Sequence, residues 1–530
     1  MSKINKVTTS PQCLDERPKI TAFLISAVTL VIEATILVVL LVFRQFLWLF
    51  LKLKYGERFG GLMDSGDSVW MSDDDSSHIS HTVAFFDSKL TADEFNDFFL
   101  KSITDNPWMH NHPVSDLKLT CTYDFCMGYA FYLKDNLKKS DCYVTLDVGN
   151  SSKEFLEKSE LTEVLSKCGN RPLPFDNKSL WETVTLNKPL RTEDMEEGVY
   201  TYVVIFRTHH SLGDGMSIVN CLLRNLAVDQ EAVHGNLENL VNAMNKRDTI
   251  LGKPGIVSTI RNTLKLIKFV LISPSVMREE KLRFKNNLNS LHGPKLSGDK
   301  HIVYSTEGSG EKLLDAMKQM KNVVPGATFN AVALTAVSRA MQRYFETNFK
   351  NTPSFVIAIT PLPMSLPEVK TKIKLKNSLS AANLSLPMLR GQATVRDQMA
   401  AVVKEIQAVK SKPDVVVKYL MVNGFVGYFP KHMIRTFLTA TGVATFSFSN
   451  IPGIPNTDCC QHKMRDIIFI TPNLATCGVG FSMITYRGTL SLGLIVDKSL
   501  IPLKKAAQNL LDSVLEEIRM MYDEFKKTSV

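Results

Sequence analysis

Thr201–Val219 reads TYVVIFRTHHSLGDGMSIV, and its reading decides the fold. Tyr202, Val203, Val204, Ile205 and Phe206 form an unbroken run of β-formers and predict a strand. That strand delivers His209 and His210 into a turn, Asp214 and Gly215 close the turn, and an apolar segment with helical character follows. Imidazole has the side-chain pKa closest to neutrality, so it can take a proton from a hydroxyl and return it. A nearby acid such as Asp214 can orient the turn by pairing with a cation or a backbone donor, and glycine at 215 permits a bend that a Cβ would forbid. Two adjacent histidines are also half of a metal site. The other nine histidines, however, show no finger-like pairing with cysteines, and no metal is expected.

Working outward, 530 residues are too many for one ordinary core and imply two domains plus an appendage. Composition is globular, with 45% hydrophobic and 22% charged residues. The net charge of +9 lies in clusters such as Lys370–Lys376 and Arg278–Lys285, which suit an anionic membrane face or an anionic co-substrate. No RNA- or DNA-binding motif is present, so nucleic acid is excluded as a partner. Nine scattered cysteines fit a reducing compartment better than a disulfide framework.

Residues 1–18 are polar and expected to be disordered. Residues 19–54 read as a membrane anchor. Ile20–Val42 is a 23-residue, mostly apolar run whose only charge is Glu33, long enough to cross a ~30 Å hydrocarbon core. A second apolar block, Phe46–Leu51, reads as an interfacial or re-entrant continuation. Basic residues flank both sides, so charge does not orient the segment. Residues 60–245 then read as one α/β domain carrying the histidine motif. Within it, Thr91–Ser102 predicts a helix with a capping box between Thr91 and Glu94. Residues 246–300 hold a basic amphipathic helix, suited equally to a membrane surface or to the protein body, and a polar linker. Residues 301–530 form the second α/β domain. Its signals are a helix over Ala327–Phe345, a strand Ala444–Asn450 entering a tight Ile-Pro-Gly-Ile-Pro turn, strands at Gly478–Ile484 and Gly488–Asp497, and a closing amphipathic helix.

Laid out in this order, the chain resembles the bifunctional wax ester synthase/diacylglycerol acyltransferase family of the CoA-dependent acyltransferase superfamily. The His-His-x-x-x-Asp-Gly motif is complete at His209–Gly215. Asp67, Trp70 and His81 match the family's opening, and Ser179-Leu180-Trp181 matches its Pro-Leu-Trp motif with serine for proline. Asn330–Thr335 is similar to Asn-Asp-Val-Val-Leu-Ala, with Ala331 for the acid. Ser449-Asn450-Ile451-Pro452-Gly453 is similar to Ser-Asn-Val-Pro-Gly, and the glycines, Tyr486 and Asp497 of the C-terminal strands follow in family order.

The resemblance implies an α/β fold of two chloramphenicol-acetyltransferase-like domains with mixed sheets, joined around a tunnel and preceded by an N-terminal transmembrane helix of this chain's own. It implies His210 as the general base, His209 as support for the turn, and Asp214 fixing the turn through an ion pair. Gly215, Trp181, Asn330, Ser449, Asn450, Pro452 and Gly453 carry structural or tunnel-shaping roles. No cofactor is bound; acyl-CoA is a co-substrate, and the acceptor is a long-chain alcohol or diacylglycerol. CoA chemistry puts the domains on the cytosolic side, at the endoplasmic reticulum or alternatively at lipid droplets or the plasma membrane. Three N-x-S sequons, at Asn150, Asn177 and Asn383, argue for the lumen instead. The rival readings are a non-catalytic, membrane-tethered lipid-binding protein and an acyltransferase for a small polar acceptor.

Overall fold

The computed structural model describes residues 19–72, 78–104, 113–135, 137–149, 153–227, 235, 256–284, 288–364, 375–389, 393–441, 444–454, 458–459 and 462–528. Two mixed sheets organise the body. The first holds β2 (Ile79–Ser88), β5 (Tyr143–Leu146), β6 (Trp181–Leu186), β7 (Tyr200–His209) and β12 (Lys463–Ile470) in the order β12-β2-β7-β6-β5. The second holds β8 (Lys300–Thr306), β9 (Phe355–Pro363), β10 (Leu379–Pro387), β11 (Phe446–Ile454), β13 (Val479–Tyr486) and β14 (Thr489–Asp497) in the order β10-β9-β11-β13-β14-β8. A three-stranded antiparallel sheet, β1 (Phe59–Leu62), β3 (Thr122–Cys126) and β4 (Tyr129–Leu133), stands beside them.

The residues of the opening motif form these elements for local reasons. β7 is buried along nearly its whole length, as a strand covered on both faces must be, so its side chains run apolar without alternation. Its one large charge, Arg207, is wholly buried and pairs across the sheet with Glu182 of β6, which also meets Arg171. Thr91 and Glu94 form the expected capping box at the start of the helix Ala92–Thr104, with Thr91 N–H donating to Glu94 at 2.9 Å. The helix Phe329–Asn348 begins at Thr328, whose hydroxyl accepts from Ala331 N–H, and packs with the closing helix Lys504–Thr528 against the second sheet.

One strand links the two halves: β12 leaves the second and pairs antiparallel with β2 of the first. Two expectations are corrected. The Ile451–Pro455 segment is not a tight turn as far as the described residues reach. β11 stays extended through Ile454, pairing Ser449 with Ser482, Asn450 with Met483 and Ile454 with Tyr486, with a register shift between Ile451 and Ile454. A bulge absorbs the proline that a ladder refuses. Gly453 is required by close approach there, since a Cβ would meet Thr485 Oγ1 at 2.7 Å. Finally, Phe46–Leu51 is not a separate block: Lys19–Tyr55 is one helix of 37 residues.

Within that helix the buried and half-buried positions from residue 30 onward fall at 30, 33, 37, 40, 44, 47, 51 and 55, steps of three and four that continue the pattern from buried Ser26. Such steps keep one stripe facing one neighbour. The helix Ile256–Phe284 lies beside it, and Ser26 Oγ sits 2.8 Å from Ser275 Oγ. Residues 1–18 and 246–255 lie outside the described residues.

Candidate active site

β7 ends at His209, and a single 3₁₀ turn, His210–Leu212, leads through Gly213 and Asp214 into the helix Gly215–Leu226. Both imidazoles are buried. His209 folds back on its own turn, its Nδ1 accepting from Ser211 N–H at 3.2 Å and lying 2.7 Å from Ser211 Oγ. His210 looks the other way. Its Nδ1 lies 3.1 Å from Oδ1 of Asn377, a residue 167 positions along the chain. The orientation of the Asn377 amide is set by its other contacts: Nδ2 donates to Asp67 Oδ1 at 2.9 Å and to His210 O at 2.7 Å, and both are acceptors only. The amide oxygen therefore faces His210, Nδ1 must be the protonated nitrogen, and Nε2 keeps its lone pair.

Trp70 fixes the plane of the ring, stacking on His210 with centroids 3.7 Å apart and 18° between planes. His78 holds Trp70 in turn, its Nδ1 lying 2.6 Å from the Trp70 carbonyl. Burial, with a smaller contribution from His78, pulls the His210 pKa down to about 4, and burial pulls His209 down to about 3. Both rings are thus neutral near pH 7. A neutral imidazole with one nitrogen bound and the other bearing a lone pair is a proton acceptor in a fixed orientation.

The acid of the motif does not make the ion pair expected of it. Among the described residues, Asp214 is held by backbone donors: Ser217 N–H at 2.9 Å, which caps the helix, and Ser378 N–H at 3.1 Å, from the start of the β9–β10 hairpin's second strand. Burial raises its pKa, and these two bonds oppose the rise. The ion pair belongs to Asp67 and Lys118 instead. Lys118 Nζ reaches Asp67 Oδ2 at 2.6 Å and also donates to the carbonyls of Ser211 and Leu212 at 3.3 and 3.2 Å. Burial pushes the Asp67 carboxyl up, with Lys118 and then Asn377 holding it down. The histidine turn is therefore clamped on its carbonyl side by a cation and on its side-chain side by an amide.

Gly215 does not supply the bend. Its backbone is helical, and an added Cβ would meet Ile451 and Phe469 at ordinary contact distances of 3.7 and 3.9 Å. The second half of the chain lies against it there, at distances that would accommodate a Cβ. Gly66 is the glycine with a steric duty, since a Cβ would come within 2.9 Å of Asn377 O and 2.6 Å of Asn423 Oδ1. Trp181 acts one step away, its indole donating to Leu119 O at 2.8 Å and so tying β6 to the helix Pro113–Thr120 that carries Lys118.

Asn330 and Asn450 bond to each other through their side-chain amides, joining the helix Phe329–Asn348 to β11. Ser449 and Gly453 stay within the β11–β13 ladder. The neighbouring Ile451 carries this segment to the histidine turn, through the apolar cluster that also holds Leu212, Leu375 and Phe469. His81, on β2, is buried opposite Arg207, and burial holds its pKa well below the ordinary imidazole value. Lys118, Asn377 and Ser378 were missed by sequence reasoning. Among the described residues no group of three or more His, Cys, Asp or Glu side chains is arranged to hold a metal. Two surface clefts, of about 490 and 310 Å³, are lined by residues such as Arg58, Asp135 and Lys178 and by Lys89, His462 and Arg465, and the histidine turn lines neither.

Comparison with known proteins bears on this arrangement. Residues 375–522 match the WS/DGAT C-terminal domain, which bears out the resemblance drawn from the motifs. None of the curated proteins matches the chain in sequence. Among solved structures, a wax ester synthase/diacylglycerol acyltransferase from Marinobacter aquaeolei VT8 superposes with a TM-score of 0.56 at 12% identity, covering 87% of this chain and 100% of its own. TRI3 trichothecene 15-O-acetyltransferase from Fusarium sporotrichioides gives 0.56 at 12% identity, covering 86% and 95%. The first condensation domain of the CDA synthetase gives 0.54 at 11%, covering 88% and 97%. These likenesses establish the fold, two acyltransferase-type domains with mixed sheets, and among the described residues one helix of this chain, near the N-terminus, is long and apolar enough to cross a membrane.

Proposed function

For a chain that carries a WS/DGAT C-terminal domain on this two-domain fold, an acyltransferase fold, we propose the transfer of a long-chain acyl group from acyl-CoA to a lipid hydroxyl at a membrane. The observation that carries the reading is the buried His210, whose Nδ1 is bonded to Asn377 so that Nε2 keeps its lone pair. In the proposed step Nε2 takes the proton of the acceptor hydroxyl as its oxygen attacks the thioester carbonyl. The tetrahedral adduct then breaks its C–S bond, and the leaving thiolate takes the proton back from His210. The product is an ester and free CoA. No acyl-enzyme is needed.

Support for an apolar acceptor comes from the N-terminal helix, whose exposed face is hydrocarbon, and from the names of the matched domain and of the Marinobacter structure. Long-chain alcohols and diacylglycerols dissolve in lipid, and so do their esters. A body facing the cytosol, at the endoplasmic reticulum, is the location where acyl-CoA is met. The sequon at Asn383 offers little against it, since that side chain is buried and donates to Glu280 at 3.1 Å.

The test is neutral-lipid synthesis by membranes of cells lacking their own neutral-lipid acyltransferases, given labelled palmitoyl-CoA with hexadecanol or with diacylglycerol. Labelled wax ester or triacylglycerol above the vector control is expected. Product with a water-soluble acceptor only, or with none, would overturn the assignment.

Asn377→Ala is expected to lower kcat roughly 10- to 100-fold with little change in KM, because the imidazole loses the bond that selects its tautomer. Asn377→Asp should be at least as damaging, since it places a second carboxylate against Asp67. An Asn377→Ala enzyme with unchanged kcat would show that the tautomer is set elsewhere.

A further inference from the structure

The N-terminal helix packs on the body along its length. Ser26 meets Ser275 at one end. Leu40 joins the cluster of Val69, Val426, Phe429 and Ile434 midway. Farther on, Arg44 donates to Met63 O at 2.9 Å and lies over the rings of Tyr129 and Tyr428, while Leu47 and Leu51 are buried against Phe59 and Phe131. From residue 26 to residue 51 these contacts extend over roughly 38 Å, at about 1.5 Å per residue. That already exceeds the ~30 Å thickness of a hydrocarbon core.

The charges of the apolar stretch are sorted to match: Glu33 and Arg44 fall with Ser26 on the stripe turned to the body, and of the polar side chains on the exposed face Thr35 bonds back to Val31 O and Gln45 is uncharged. The remaining circumference exposes aliphatic and aromatic residues from Ile25 to Leu53, among them Val31, Val39, Phe46 and Trp48. Lys52, Lys54 and Arg58 are exposed at its C-terminal end, and Lys268 is exposed on the neighbouring helix, beside exposed Ile267, Val270 and Leu271. Aliphatic face and basic margin together complement acyl chains and anionic headgroups.

A helix so packed cannot cross a bilayer alone. It would take with it the helix Ile256–Phe284, on which Lys268 is exposed, and the Glu280–Lys418 ion pair beyond. Charges are costly at the bilayer centre. We propose that Lys19–Tyr55 lies in the plane of the membrane as a float, its exposed face sunk into one leaflet of lipid, and does not span it. This rests on the membrane-bound reading above and makes the protein monotopic. Its two chain ends then lie on the same side, and the body is held flat against the leaflet in which its proposed acceptor dissolves.

The test uses the full chain with an epitope at each end, expressed in sealed microsomes and treated with protease. The two epitopes are expected to share one fate, both digested in the cytosolic orientation. One digested and one protected, in protein that floats with the membranes, would overturn the in-plane arrangement and leave the enzyme assignment standing. A chain that does not float with membranes would overturn the membrane reading itself. A soluble chain that self-associates, and separates on Val39→Glu/Phe46→Glu substitution, would give the apolar face to a second copy instead.

Discussion

His210→Ala is expected to reduce acyl transfer by roughly 100- to 10,000-fold, the usual range for loss of a positioned general base. Alanine also leaves Asn377 Oδ1 without its imidazole partner, at a cost of about 1–3 kcal/mol. The assay therefore needs His210→Gln beside it, since a glutamine amide can still meet Asn377 but cannot take a proton at neutral pH. Both variants folded by circular dichroism and both inactive is the expected result. His209→Ala should be milder, because its ring is turned back onto Ser211. Full activity in His210→Ala would remove the base from the mechanism.

The same ring fixes a pH dependence. An imidazole at the ordinary value would lose its lone pair below pH 6.5, whereas His210, pulled down to about 4 by burial, keeps it through the mildly acidic range. Initial rates should therefore lack an acid limb near 6.5. The low proton affinity would weaken a base in isolation, but the proton arrives only as negative charge grows on the adjacent carbonyl oxygen. Stability behaves differently. Above pH 6.5 neither folded nor unfolded histidine is protonated. As pH falls through 6.5 towards 4, the unfolded chain binds protons that buried His209 and His210 refuse, so stability falls with pH. The loss is on the order of 3 kcal/mol for each ring by the bottom of the window. A thermal midpoint that drops steadily between pH 6.5 and 4, with initial rates holding until unfolding begins, is the combined signature.

What the sequence made legible follows from what is local. A strand covered on both faces must be an apolar run, and a turn rich in His, Asp and Gly announces itself, so β7, its turn and the following helix could be read directly. The same holds for the helices at 92–104, 329–348 and 504–528, whose caps and periodicities lie within a few residues. The partners of the turn are not local. Lys118 stands at the end of a short helix and Asn377 just ahead of β10, and each looks like an ordinary surface residue until the fold brings it to His210. The residues alone allow Asp214 a cation or a backbone donor and the resemblance implies an ion pair; backbone N–H groups from Ser217 and Ser378 satisfy it. The Ile-Pro-Gly-Ile stretch carries every sign of a turn. It is extended because β13 pairs with β11 as far as Ile454, where the ladder outweighs local preference and a bulge accommodates the proline.

Lys118→Met tests whether the turn is held by that non-local clamp. Asp67 is 2% exposed, and the lysine and the Asn377 amide both bond to it. Removing the cation strands a carboxylate in the interior and frees the carbonyls of Ser211 and Leu212, so a loss of about 3–5 kcal/mol is expected, as for other broken buried pairs. The penalty is mostly that of the stranded charge. Lys118→Met/Asp67→Asn should therefore be more stable than Lys118→Met, recovering at least half of the loss, because asparagine at 67 keeps an acceptor for Asn377 without a charge to bury. The order of the three proteins in urea midpoints is the measurement: wild type, then the double variant, then Lys118→Met. If the double variant were the least stable, the pair would contribute through direct attraction and not through relief of a buried charge. The activity of the double variant then separates two functions of the clamp, since Asn377 would still hold His210 while the carbonyls of the turn had lost their cation.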